Sequence, residues 1–154
     1  MSIKIMIVDD SAVVRQTLTQ IFQSDAALSV LGAYSNPLFA IRAMEDRWPD
    51  VLILDVEMPG MDGITFLRSL MRTQPLPVII CSSLTTKGAG TTLEAMAAGA
   101  VEVIAKPVSG LKDHLETIAR DMIQSVKTAA SVRVSALGVK ASGNSLMTNA
   151  QQLM

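Results

Sequence analysis

Carboxylates occur in this sequence where an ionised side chain is hard to place. The run IKIMIVDD ends in Asp9 and Asp10, and VLILDVEMPGMDG brings Asp55 directly after four branched apolar residues. Other reactive groups end similar runs: Ser82 lies at the end of PVIICSS, and Lys106, followed by Pro107, at the end of VEVIAK. A buried carboxylate is costly unless it is paired or binds a metal, so these positions need a physical reason. Three carboxylates, a hydroxyl and an ammonium gathered in one place would be the equipment of phosphoryl transfer: a nucleophile, hard oxygen ligands for magnesium, and donors for phosphoryl oxygens.

Whether these groups meet depends on the elements that carry them. The runs IKIMIVD (3–9), LSVLGAY (28–34), VLILDV (51–56), PVIICSS (77–83) and VEVIAK (101–106) read as strands. Asp50 bounds the third on one side, and Pro59-Gly60 and Asp62-Gly63 on the other. A helix follows the first strand, because Val14, Leu18, Ile21 and Phe22 recur at helical spacing behind Ser11 as N-cap. The segments PLFAIRAMEDRW, GITFLRSLMRTQ, KGAGTTLEAMAAG and LKDHLETIARDMIQSVKTAA repeat the alternation, with Asn36-Pro37 marking a start and Gly99 a stop.

Regular alternation of strand and helix predicts an α/β fold, doubly wound, with right-handed crossovers. In the flavodoxin-like form, a five-stranded parallel sheet of order 2-1-3-4-5 with five helices, ligands gather beyond the carboxyl ends of the first and third strands. Those strands are neighbours about 4.8 Å apart, so Asp9, Asp10 and Asp55 must converge. Two such charges about 4 Å apart repel by about 4 kcal/mol at an effective dielectric of 20, which a divalent cation or an ammonium group relieves. Asp55, in the middle, is the predicted acceptor. Magnesium is expected on Asp10, Asp55 and the backbone carbonyl of Glu57, with Asp9 acting through water, and Ser82 and Lys106 bordering the same crevice. Each residue alone has a plainer role. Asp9 and Asp10 could charge a helix N-terminus, Asp55 could cap the following turn, Ser82 could satisfy a local backbone group and Lys106 could be a surface cation.

Bulk properties narrow the field. The 154 residues suit one domain with one substantial core, at 49% apolar content and a mean hydropathy of +0.39. A formal charge of -1 supplies no overall drive toward nucleic acid or anionic lipid. Cys81, the single cysteine, cannot form an internal disulfide, the first residues lack a signal-peptide pattern, and no apolar stretch is long enough to span a bilayer. A cytoplasmic location follows as the expectation. With only 3% aromatics, aliphatic side chains and ten methionines must fill the interior. The predicted domain covers 1–130. Residues 131–154 read as a linker, because from about Val134 the composition turns small and polar, with Lys140 the lone charge.

The motifs IMIVDDS (5–11), LILDVEMPGMDG (52–63), PVIICSS (77–83) and AGAVEVIAKP (98–107) together closely resemble the receiver domains of bacterial response regulators. That resemblance implies magnesium at Asp9, Asp10 and Asp55, phosphorylation of Asp55 by a histidine kinase, and contacts from Ser82 and Lys106 to the phosphoryl group. The segment SSLTTKGAGTTLEAMAAGA, the long last helix and its linker look, more finely, like the receivers of chemotaxis protein-glutamate methylesterases. The implied partners are a chemotaxis kinase, a C-terminal methylesterase and glutaminase domain and, through it, chemoreceptors. That esterase domain is expected to lie outside this chain, which carries no G-x-S-x-G and has His114 as its only histidine, assigned no catalytic role. Many receivers place an aromatic residue three before the lysine; here that residue is Val103.

The main alternative is a stand-alone docking module controlled by phosphorylation. A dehalogenase-like phosphatase also uses a strand-end aspartate, but would need its second acid at Glu57, followed by Met58 and Pro59 where a small or branched residue is wanted. Nucleotide binding has no support, since Leu93 breaks the glycine pattern begun by Gly88 and Gly90. Pairing of two copies through the last helix or the tail is left open by the sequence.

Overall fold

The computed structural model describes residues 2–58, 61–83, 88–107 and 115–143. Its elements run β1 (Ile3–Val8), α1 (Ala12–Gln23), β2 (Leu28–Tyr34), α2 (Pro37–Asp46), β3 (Val51–Leu54), β4 (Glu57–Met58), β5 (Met61–Asp62), α3 (Gly63–Thr73), β6 (Val78–Ser82), α4 (Gly88–Ala98), β7 (Glu102–Ala105) and α5 (Leu115–Gly143). The main sheet has the order β2-β1-β3-β6-β7 with every pairing parallel. This is the predicted 2-1-3-4-5 arrangement. The labels shift only because a short antiparallel ribbon, β4 against β5, stands between β3 and α3.

The pleat explains why the strands read as unbroken apolar runs. Alternate residues face opposite sides, and helices cover both, so the strand interiors are apolar, while Lys4 lies near the start of β1 and Ser29 and Glu102 sit on the edge strands β2 and β7. Ile5, Ile7, Val51, Ile53 and Ile79 pack with Leu18 and Phe22 of α1 and Met122 and Val126 of α5. Met6, Val8, Leu52, Leu54 and Ile80 pack with Ala40 and Met44 of α2, Phe66 and Leu67 of α3 and Ala95 of α4.

Local signals start the helices where the sequence indicated. The Ser11 hydroxyl accepts from the Val14 amide at 3.3 Å, and the Asn36 carboxamide accepts from Leu38 at 2.9 Å, with Pro37 in the first turn. Gly99 takes φ +119°, a left-handed conformation that a side chain would strain, where α4 stops. Several element ends differ from the predicted ones by a residue or two. The third strand ends at Leu54 rather than Val56, because the Asp55 carboxylate accepts the Glu57 amide and turns the chain. At the other end of the molecule α5 continues to Gly143, through the composition change at Val134. No proline interrupts 131–143, and extending an existing helix needs only one further hydrogen bond per residue.

Candidate functional site

The carboxyl ends of β1 and β3 lie side by side, since Val8 pairs with Leu54 and the Asp55 amide donates to the Val8 carbonyl at 2.9 Å. Asp9, Asp10 and Asp55 therefore converge, with a carboxylate oxygen of each within 4.8 Å of the others. Asp9 and Asp55 are buried and Asp10 is exposed. The two buried acids use their oxygens alike. Asp9 Oδ1 accepts from the Ser11 amide at 2.8 Å and Asp55 Oδ1 from the Glu57 amide at 2.9 Å, which fixes each side chain in a local turn. Their Oδ2 atoms are buried, and neither has a hydrogen-bond partner among the described residues. The plainer role and the chemical one thus occupy different atoms of the same carboxylate.

Lys106 reaches this pair from β7, two strands away from β3, just past the end of its own strand. Its Nζ lies 3.2 Å from Asp55 Oδ2 and 3.3 Å from Asp9 Oδ2. Both are ion-pair distances. Burial first of all raises the Asp55 pKa to about 6, with the Asp9 charge adding to it, while the Glu57 amide and Lys106 hold it down. Asp9 is raised as well, again chiefly by burial. For Lys106, burial favours the neutral amine, but the Asp55 and Asp9 carboxylates together outweigh it and raise its pKa.

Ser82 ends β6, the strand between β3 and β7, and is buried; its carbonyl accepts from the Lys106 amide at 2.9 Å. Glu57 is exposed, and its amide serves Asp55 as described. Val103 pairs with Ile80 in the sheet and packs, partly buried, on the core shared by α2, α3 and α4. Cys81 is 1% exposed in the opposite core. Its thiol is pushed up to about 12, chiefly by burial, so it stays protonated and packs as an apolar group. His114 lies outside the described residues.

The donor set fits a hard divalent cation. It consists of carboxylate oxygens only, two of them buried and sharing one ammonium, which among the described residues is the only cation paired with the three acids and cannot neutralise them all. A cavity of about 650 Å³ elsewhere, lined by Ile41, Met44, Trp48, Phe66 and Leu70 among others, shares no residue with this cluster. Its single titratable residue is Glu45, so the chemistry belongs to the sheet's carboxyl edge.

Sequence reasoning missed what Gly63 does. It read Asp62-Gly63 as a turn signal, whereas Asp62 caps α3 by accepting the Ile64 amide at 3.0 Å. A Cβ on Gly63 would fall 2.6 Å from the Asp55 carbonyl oxygen and 2.6 Å from Val56 Cα. Glycine there lets the start of α3 press against the backbone that carries Asp55. Only a chain of known fold could reveal that closeness, because the signal in the sequence is one glycine among nine.

This parallel sheet, with acids meeting at its first and third strand ends opposite a lysine, defines a class, and the comparisons agree. The profile of the response regulator receiver domain matches residues 5–120, and the chain belongs to that family. Within it, the chain is similar to the receivers of chemotaxis methylesterases. It is 34% identical to the response regulator domain of Thermotoga maritima CheB, whose crystal structure it matches with a TM-score of 0.74 over 85% of this chain and 98% of that one. It is 55% identical, over 96% of its length, to protein-glutamate methylesterase/protein-glutamine glutaminase 2 of Chromobacterium violaceum, and 53% identical over 86% to the Hahella chejuensis protein of that name. The chain spans 42% and 36% of the lengths of those two relatives. It also matches, at 29% identity and a TM-score of 0.68 over 84% of its length, a chain in the crystal structure of the CheA3 P1 domain with CheY6 from R. sphaeroides. No helix among the described residues is long and apolar enough to cross a membrane.

Proposed function

We propose that this chain is the phosphoryl-accepting switch of a chemotaxis regulator, in which the state of Asp55 governs an attached protein-glutamate methylesterase/protein-glutamine glutaminase domain. One observation carries the reading: Asp55 Oδ2 is buried with no hydrogen-bond partner among the described residues, 3.2 Å from the Lys106 ammonium that it shares with Asp9 Oδ2. An oxygen held that way is oriented by its own turn yet free to form a new bond.

In the proposed step Asp55 Oδ2 attacks phosphorus of a phosphohistidine, the phosphorus–nitrogen bond breaks, and imidazole leaves with the electron pair. The product is an acyl phosphate on Asp55. Hydrolysis reverses the charge state: water attacks phosphorus, inorganic phosphate departs, and the carboxylate returns. Asp10 and Asp55, with the Glu57 carbonyl and with Asp9 through water, would hold magnesium, which when bound neutralises phosphoryl oxygens. Lys106, now paired with two carboxylates, would turn to the phosphoryl group, and the Ser82 hydroxyl at the adjacent strand end would donate to it. With Val103 in place of an aromatic ring, the signal would leave through the segment after Ser82 or through packing alone. Its size is limited by the difference in affinity between the two states.

The kinase partner is supported by the likeness to the receiver in the kinase P1-domain complex, and the esterase partner by the names of the longer relatives. The test is incubation with acetyl phosphate and magnesium. One acid-stable, base-labile phosphoryl group per chain is expected, absent without magnesium and absent in Asp55→Asn. In the longer protein, methyl release from receptor glutamates should rise with phosphodonor; equal rates with and without it would refute control by this domain.

A further inference from the structure

Among the hydrogen bonds around the acids, one comes from a residue outside the proposed site. Arg15, half-buried one turn into α1, sends Nη1 to the Asp9 backbone carbonyl at 2.7 Å. That carbonyl belongs to the peptide unit joining Asp9 to Asp10. Asp9 is otherwise held by its amide to the Tyr34 carbonyl at 3.0 Å and by Oδ1 to the Ser11 amide. Asp10 sits at the centre of the turn that the last bond closes, and its side chain makes no hydrogen bond or ion pair among the described residues. The direction of the Asp10 side chain therefore depends on the plane of the peptide that precedes it, and Arg15 fixes that plane.

We infer that Arg15 is a positioning residue for divalent-cation binding, aiming the Asp10 carboxylate at the other two acids by clamping the Asp9–Asp10 peptide. This rests on the magnesium site proposed above. A charge-assisted bond from a guanidinium to a carbonyl is among the stronger hydrogen bonds, and its planar donor is already organised for the contact. The same guanidinium also brings a positive charge near the cation, which by itself would weaken binding. The two effects separate by ionic strength, because salt screens the charge and leaves the bond geometry in place.

Magnesium binding to the metal-free chain, measured by calorimetry at high salt, tests this. Arg15→Met should bind about tenfold more weakly than the wild type, the low end for removing a group that orients a metal ligand. With acetyl phosphate, the magnesium concentration giving half the maximal phosphorylation rate should rise by the same factor while the rate at saturating magnesium changes by about twofold or less. A merely structural role would lower the unfolding midpoint of the metal-free chain without this split. Affinity in Arg15→Met equal to or tighter than wild type overturns the inference. If that variant does not fold, Arg15→Lys, which keeps the charge with less reach, should still bind a few-fold more weakly. An unchanged affinity in it is equally fatal. A wild-type chain whose magnesium binding does not depend on Asp10, judged with Asp10→Asn, would overturn the underlying site as well, so the two failures are distinguishable.

Discussion

Two aspartates bracket β3, and they have opposite fates. Asp50, before the strand, exchanges bonds with Lys4: its amide donates to the Lys4 carbonyl at 2.7 Å, and its Oδ2 accepts the Lys4 amide at 2.8 Å. Its carboxylate extends the β1–β3 ladder by one rung. Asp55, after the strand, has its amide bonded to Val8 and one carboxylate oxygen bonded to Glu57, and its second oxygen is left facing another acid and an ammonium. At the amino edge of the sheet, then, the side chain completes the backbone's hydrogen bonding. At the carboxyl edge the backbone is satisfied by other means, and a reactive oxygen is left over. The residue type is the same; what differs is how many of its acceptors the fold uses.

The sharpest way to break this contrast is to neutralise each aspartate in turn. Asp55→Asn should abolish phosphorylation by acetyl phosphate, whereas Asp50→Asn should leave its rate unchanged, as read by phosphoprotein mass spectrometry. Next in size is Lys106→Met. Lys106 is, among the described residues, the only cation paired with Asp9 and Asp55, and its removal should slow phosphorylation about a hundredfold, the cost of losing one donor to developing charge. Its loss should also lower stability at neutral pH by about 1–3 kcal/mol in urea titrations, since two buried carboxylates lose their partner. Gly63→Ala should slow phosphorylation by about tenfold and destabilise by about 1–3 kcal/mol, because the added methyl forces the Asp55 backbone to move.

The pH dependence of stability sharpens the comparison further. Asp55 binds its proton more tightly folded, at about 6, than unfolded, near the ordinary value of 3.8. The folded state therefore gains stability from this group as pH falls from about 6 toward 4, and its ionisation is a cost at neutral pH. In metal-free solution Asp55→Asn should be more stable than wild type at pH 7.5 by about 1–3 kcal/mol, and the gap should close by about pH 4 and shrink with magnesium. Asp50→Ala is the smallest effect. It should cost about 1 kcal/mol, the worth of an ordinary hydrogen bond.

Much of this was legible in the sequence because it follows from burial. A parallel sheet covered on both faces leaves apolar runs that stand out, and an acid at the end of such a run, as at Asp9 and Asp55, is conspicuous. What stayed hidden depends on closeness in space. The ribbon of Glu57–Met58 with Met61–Asp62 is too short to have a periodicity. The extension of α5 to Gly143 runs through residues whose small, polar composition signals a linker. In the sequence Arg15 is one cation on an amphipathic helix, and its bond to Asp9 is visible only once β1 and α1 are placed. Asp9 and Asp55 could be assigned to a shared pocket, but not the division of labour between their two oxygens.

The central claim is that Asp55, and no neighbouring acid, takes the phosphoryl group. Phosphorylated chain can be reduced with borohydride, which converts an aspartyl phosphate to homoserine, and the products mapped by peptide sequencing. Homoserine at position 55 alone, formed only when magnesium was present, is the predicted result. Homoserine at position 9 or 10, or labelling that persists without magnesium, would contradict it.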